Sequence, residues 1–123
     1  MSAPNITIGK VSNVWIRQMH FKDIGDTEAG HKHPHDHVTL LTNGSLRVTV
    51  DGKPTVFSAT PLPQMIFIKA GKNHELVALE ANTSAFCIHG LRGLDDGDIL
   101  DPAMIPDGVD AQAAGMTAPL TTR

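Results

Sequence analysis

Seven histidines occur in this chain, and four of them fall within one heptapeptide, His31-Lys32-His33-Pro34-His35-Asp36-His37. Neutral imidazole is the commonest biological ligand for zinc, iron, manganese, nickel and copper, and it needs no counter-charge when buried without metal. His31 and His33 are two apart, so on a strand both project from the same face. Pro34 has no N–H for a central ladder, which predicts a turn or bulge there. His37 then opens an apolar run and can face back toward the first two. His35 falls on the turn, where parity does not fix its direction. His74 follows Ala70-Gly71-Lys72-Asn73, whose composition predicts a tight turn, so its mount at the start of a strand is rigid. Three local ligands and one distant one could hold a single divalent cation. The competing reading is a solvated histidine-rich loop that binds metal adventitiously.

The elements that must position these residues are strands. Val11 to Phe21, with Val14, Trp15, Ile16, Met19 and Phe21, reads as one strand. Val38 to Thr42 is an apolar run ending at Asn43-Gly44, a strong two-residue hairpin signal. Leu46, Val48 and Val50 alternate with Arg47, Thr49 and Asp51, the period of a half-buried strand. Asp51-Gly52 makes the next turn and Thr55-Val56-Phe57 leads back out. Met65 to Ile68 is another strand, and His74 to Glu80 with Ser84 to His89 form the last pair. Seven or so short strands with tight turns and no helix signal argue for a closed antiparallel barrel or a sandwich.

Bulk properties narrow the function. A chain of 123 residues with 41% apolar content has material for one core. The net charge of −3 is mild and scattered, so no basic patch exists to meet nucleic acid or an anionic membrane. No apolar run approaches the ~20 residues of a membrane span, and the first residues lack a secretory pattern, so a cytoplasmic location is expected. The single cysteine, Cys87, permits no intrachain disulfide. It lies in Ala85-Phe86-Cys87-Ile88 and is read as a small buried hydrophobe, the alternative being a thiol that reaches a metal site. After Leu94 turn-formers and small residues dominate, and the final dozen residues are expected to be loose.

With these residues in view, the sequence resembles the cupin superfamily. The first cupin motif runs Gly, spacer, H-x-H, three or four residues, Glu, six residues, Gly. His31-Lys32-His33 matches H-x-H, Pro34-His35-Asp36 is the spacer, His37 stands at the Glu position, and Gly44 closes the motif after six residues. The second motif ends P-x-G-x-x-H, and Lys69-Ala70-Gly71-Lys72-Asn73-His74 matches it with Lys69 in place of proline. The first glycine of the motif has no counterpart at the usual distance: Gly25 lies six residues before His31 and Gly30 immediately before it. The strand pattern extends the resemblance over residues 8–92.

The resemblance implies an all-β, single-domain cupin barrel (a double-stranded β-helix or jelly roll) over residues 1–94, with residues 95–123 an arm or tail. It implies one divalent metal ion, Fe, Mn, Ni or Zn, on His31, His33, His37 and His74, in the manner of the all-histidine cupins. Four neutral imidazoles leave the ion's charge uncancelled and two octahedral positions open, which suits an anionic chelate such as an enolate, 2-oxo acid or catecholate. The first functional expectation is therefore a dioxygenase-like oxidoreductase acting on a small oxygenated molecule. The alternatives are a non-redox isomerase or lyase using the metal as Lewis acid, and a metal- or ligand-binding module without turnover. His89 is a candidate catalytic base or substrate ligand, against a partly exposed strand-end histidine. His35 is a candidate acid/base group at the rim, against a surface turn residue. Asp36 could orient a neighbouring imidazole, and Glu75 should face away from the site. A homodimer is expected, because small cupins commonly pair and Ile99, Leu100, Met104 and Ile105 could anchor the arm on a second subunit.

Overall fold

The structure is a computed structural model and describes residues 2–11, 14–32, 36–90 and 120–122. These form β1 (Asn5–Val11), β2 (Val14–Phe21), β3 (Thr27–His31), β4 (His37–Asn43) and β5 (Ser45–Val50). They continue through β6 (Lys53–Ser58), β7 (Gln64–Ile68), β8 (His74–Ala78), β9 (Thr83–Gly90) and β10 (Leu120–Thr122). One sheet has the order β10-β1-β2-β9-β4-β7 and the other β3-β8-β5-β6, and every pairing between neighbours is antiparallel. The fold is all-β, as the strand spacing predicts. No helix among the described residues is long and apolar enough to cross a membrane.

Period-two alternation builds the core. Trp15, Arg17, Met19 and Phe21 of β2 are buried while the residues between them are half-buried, and β9 alternates in the same way from Thr83 to His89. The inner faces of the two sheets meet through Leu41, Ile66 and Ala85 on one side and Leu46, Val48 and Leu76 on the other. Such faces interdigitate to fill a core about 10 Å thick.

Four local readings need correction. The apolar segment before Phe21 is two strands, because Ile6 and Ile8 supply a separate buried stripe on β1, which pairs with β2 from Val11↔Val14 to Asn5↔His20. Asn43-Gly44 does not close a hairpin: β4 and β5 lie in different sheets. Gly44 has φ +82°, and a Cβ there would stand 2.1 Å from Thr83 Oγ1. Ser45 N–H donates to the same oxygen at 3.3 Å, so the chain is drawn over β9 at a corner. Likewise β8 and β9 are not partners, since β9 is already flanked by β2 and β4, and β8 by β3 and β5. Their buried faces oppose one another across the core. Finally, Leu120–Thr122 pair with β1 and extend the larger sheet. Ile99, Leu100, Met104 and Ile105 lie outside the described residues.

The Asp51-Gly52 turn is a true hairpin. Both residues have positive φ, 48° and 82°, the requirement of a type I′ connection between β5 and β6. At the other side of the molecule β6 and β7 are each one edge of their sheet and are not paired with each other, so the barrel is open between them.

Candidate metal centre

The inner faces of the strands change character along their length. At one end β2, β9 and β4 present Trp15, His89 and His37 in one layer, and Arg17, Cys87 and Thr39 in the next. In the opposite sheet the corresponding layer runs through the register positions His31, His74, Val50 and Lys53. His37 opens β4 and is buried, His74 opens β8 and is buried, and His89 near the end of β9 is 1% exposed. Thus His89 is not a partly exposed strand-end residue. It sits in the same layer as His37.

The ring centres of His37 and His74 are 5.2 Å apart with planes tilted by 49°. A ring bound through a nitrogen at about 2.1 Å has its centre roughly 3.2 Å from the ion, so two rings sharing an ion at octahedral or tetrahedral angles lie roughly 4.5–5.2 Å apart. The pair meets that requirement. His31 is the Cα partner of His74 across the β3–β8 ladder, which brings the first motif to the second. β3 ends at His31, so strand parity does not extend to His33. His33 and His35 lie outside the described residues.

Local chemistry fixes His74. The nitrogen His74 Nδ1 is 3.1 Å from the Lys72 carbonyl oxygen. A carbonyl only accepts, so Nδ1–H donates and Nε2 is left with the lone pair that a metal requires. The turn behind it is closed by Lys72 N–H to Lys69 O at 3.3 Å, with Gly71 at φ +75°. Two carboxylates clamp that turn. Asp36 accepts from Ala70 N–H at 2.7 Å and Asp51 accepts from Asn73 N–H at 2.9 Å. Asp36 therefore ties the residue beside His37 to the turn that mounts His74. The Asn73 N–H, with the Lys72 ammonium 3.4 Å away, holds the Asp51 carboxyl below the usual carboxylate range. A register shift in β3 between Glu28 and His31 adds one residue opposite β8, a bulge beside the site. Gly30 lies in it, and a Cβ there would stand 2.8 Å from Asn73 Oδ1, so a larger residue would have to displace the Asn73 side chain.

A second grouping bears on the alternative reading of Cys87 as a thiol that reaches a metal site. Ligand atoms of His37, Cys87 and His89 all lie within 4.8 Å of one another. One feature counts against this trio as one ion's ligand set. The His37 and His89 rings are stacked, 4.5 Å apart with planes only 21° from parallel, whereas an ion lies in the plane of each ring that binds it. Burial pushes the Cys87 thiol up to about 11, against a 3.4 Å contact with Thr39 Oγ1 that favours ionisation. The tilted His37–His74 pair is the better nucleus, with His89 stacked behind it. The cysteine was legible as a site neighbour only through parity, since it and His89 share one face of β9.

Beneath the histidines, Arg17 spans the core to Glu28 of β3 with two hydrogen bonds, Nη1 to Oε2 at 3.1 Å and Nη2 to Oε1 at 3.2 Å. Both residues are buried. The sequence signal was one arginine at a buried parity within Val14-Trp15-Ile16-Arg17. This pairing commits Glu28, and Asp36 and Asp51 are committed to backbone N–H groups. Glu75 alternates out of phase with His74 and Leu76, as expected. Among the described residues the donor set facing the layer is therefore imidazole rather than carboxylate, and it fits a divalent transition metal.

The sequence matches no family model and no curated protein. In structure the chain is similar to KdgF from Halomonas sp., with a TM-score of 0.60 at 20% identity over 70% of this chain and 76% of that one. It is similar to a cupin superfamily protein from Desulfitobacterium hafniense, with a TM-score of 0.61 at 15% identity over 75% and 82% of the two chains. A conserved protein with a double-stranded β-helix domain from Klebsiella pneumoniae gives a TM-score of 0.61 at 17% identity over 72% and 76%. Likeness at this level of identity is a likeness of fold, and it agrees with the strand order and sheet pairing above.

Proposed function

We propose that this chain, a cupin by fold, is a metal-dependent oxidoreductase of dioxygenase type acting on a small oxygenated organic molecule at the histidine layer. The observation that carries the proposal is the His37–His74 pair at 5.2 Å, with His74 Nδ1 hydrogen-bonded and, among the described residues, no uncommitted carboxylate alongside. His37 and His74, with His31 and His33 from the first motif, would hold one divalent ion. Fe, Mn, Ni and Zn all suit such nitrogen donors. When bound, a redox-active ion supplies Lewis acidity and a point at which dioxygen and substrate meet. An imidazole-only set leaves the ion's charge uncancelled, which favours substrates that chelate as anions.

The chain's own residues do the rest. The Lys72 carbonyl and the Asp36 and Asp51 clamps hold His74 in one tautomer and one place, so little reorganisation accompanies substrate binding. Trp15 and Ile68, both buried, flank His89 and His37 with apolar surface. His89, buried and stacked on His37, is the residue we assign to take a proton from a chelating hydroxyl or enol.

That position of His89 also favours a second reading, a non-redox isomerase or lyase in which it is the general base. One experiment separates them. The protein is loaded anaerobically with Fe(II) and offered diketones, catechols and 2-oxo acids. Oxygen uptake that needs both metal and substrate is the expected result. Substrate conversion without oxygen uptake would replace the first reading by the second. Tight binding with neither would make the protein a binding module.

A further inference from the structure

Between the open edges of the two sheets lies a cavity of about 340 Å³, near the small end of the range for ligand pockets. Part of its wall is apolar, built from Val50, Phe57, Ile66 and Ile68 among others, and part is polar, with Asp51, Lys53, Thr55 and Lys72. Two of its lining residues neighbour the histidine layer: Ile68 is the cross-strand partner of His37 and Val50 that of His74. Val50 is also the partner of Lys53 on β6, so His74, Val50 and Lys53 occupy one row across three neighbouring strands. Adjacent strands are about 4.8 Å apart, which sets Lys53 roughly 10 Å from His74, across the cavity mouth.

Two lysines, Lys53 and Lys72, line this cavity with a single carboxylate, Asp51. Asp51 is committed to Lys72 at 3.4 Å and to the Asn73 N–H. Lys53 has no carboxylate partner among the described residues, so the cavity keeps one uncommitted cation on a flexible stem.

We infer that Lys53 anchors a carboxylate of the ligand, whose compact apolar body lies on Val50, Phe57, Ile66 and Ile68 and whose other end reaches His37 and His74. The ligand class is thus a small organic acid with an apolar body. This substrate class rests on the reading of the histidine layer as the reacting centre, whereas the anchoring role of Lys53 is testable without it.

Benzoate serves as the probe and benzamide as its neutral counterpart, with binding measured calorimetrically on metal-loaded and metal-stripped full-length protein. The expected result is that benzoate binds roughly tenfold or more tightly than benzamide, as a charge-assisted contact provides. Lys53→Met should weaken benzoate by a similar factor and leave benzamide unchanged. Lys53→Arg should restore most of the difference, and Lys22→Met, remote from the cavity, should change nothing. Equal benzoate binding by Lys53→Met and parent, or no preference over benzamide, would overturn the inference. Metal analysis of the same samples keeps the two claims apart. Loss of the charge preference with metal retained refutes the anchor, while absence of metal with the preference intact refutes the centre and leaves the anchor standing.

Discussion

The two ends of this barrel are built from the same strands and differ in what those strands bury. At the far end β2 buries Met19 and Phe21, β9 buries Thr83 and Ala85, β4 buries Leu41 and β8 buries Leu76 and Ala78. At the near end the same strands bury Trp15 and Arg17, Cys87 and His89, His37 and Thr39, and His74. In β2 and β9 alternation is unbroken from one end to the other, so the two-sheet packing continues past the border. Only the chemistry of the buried residues changes. The far end supplies hydrophobic stabilisation, and the near end spends part of it on groups that must be hydrogen-bonded or ligated to be tolerated. A site placed on strand ends in this way inherits the rigidity of a core it does not itself build.

The sharpest way to break the contrast is to attack the ion pair at the border. Glu28→Gln leaves the Arg17 guanidinium buried without its counter-charge, and a loss of about 3–5 kcal/mol in unfolding free energy is expected by denaturant titration. A loss below about 1 kcal/mol would mean that the pair is not part of the core. At the apolar end, Leu41→Ala should cost about 3 kcal/mol through lost burial and the cavity left behind. Its effect should fall on stability alone, with metal content of the folded protein unchanged. If metal content fell with stability, the two ends would not be independent.

Much of this architecture was legible because it is encoded locally. Alternation in Leu46-Arg47-Val48-Thr49-Val50 and the Asp51-Gly52 turn can be read from adjacent residues, and both appear as expected in β5 and its hairpin. The mount of His74 was legible for the same reason, since Gly71 and the histidine belong to one short turn. What was not legible depends on cross-strand register. Asn43-Gly44 has the composition of a hairpin, yet contact with Thr83 makes it a corner between sheets. Arg17 meets Glu28, Cys87 meets His37 and His89, and Lys53 shares a row with His74, only because strands distant in sequence are aligned. The spacing of His31, His33, His37 and His74 named candidate ligands. The tilt of the His37 and His74 rings and the carbonyl behind His74 come from the fold.

Elemental analysis of purified protein, parent beside His74→Ala, addresses the convergence of the two histidine segments most directly. Parent protein should hold about one divalent ion per chain, and His74→Ala should lose it as severely as His33→Ala while remaining folded. Equal metal in parent and His74→Ala, or none in the parent after exposure to Fe(II), Mn(II), Ni(II) and Zn(II), would contradict the account.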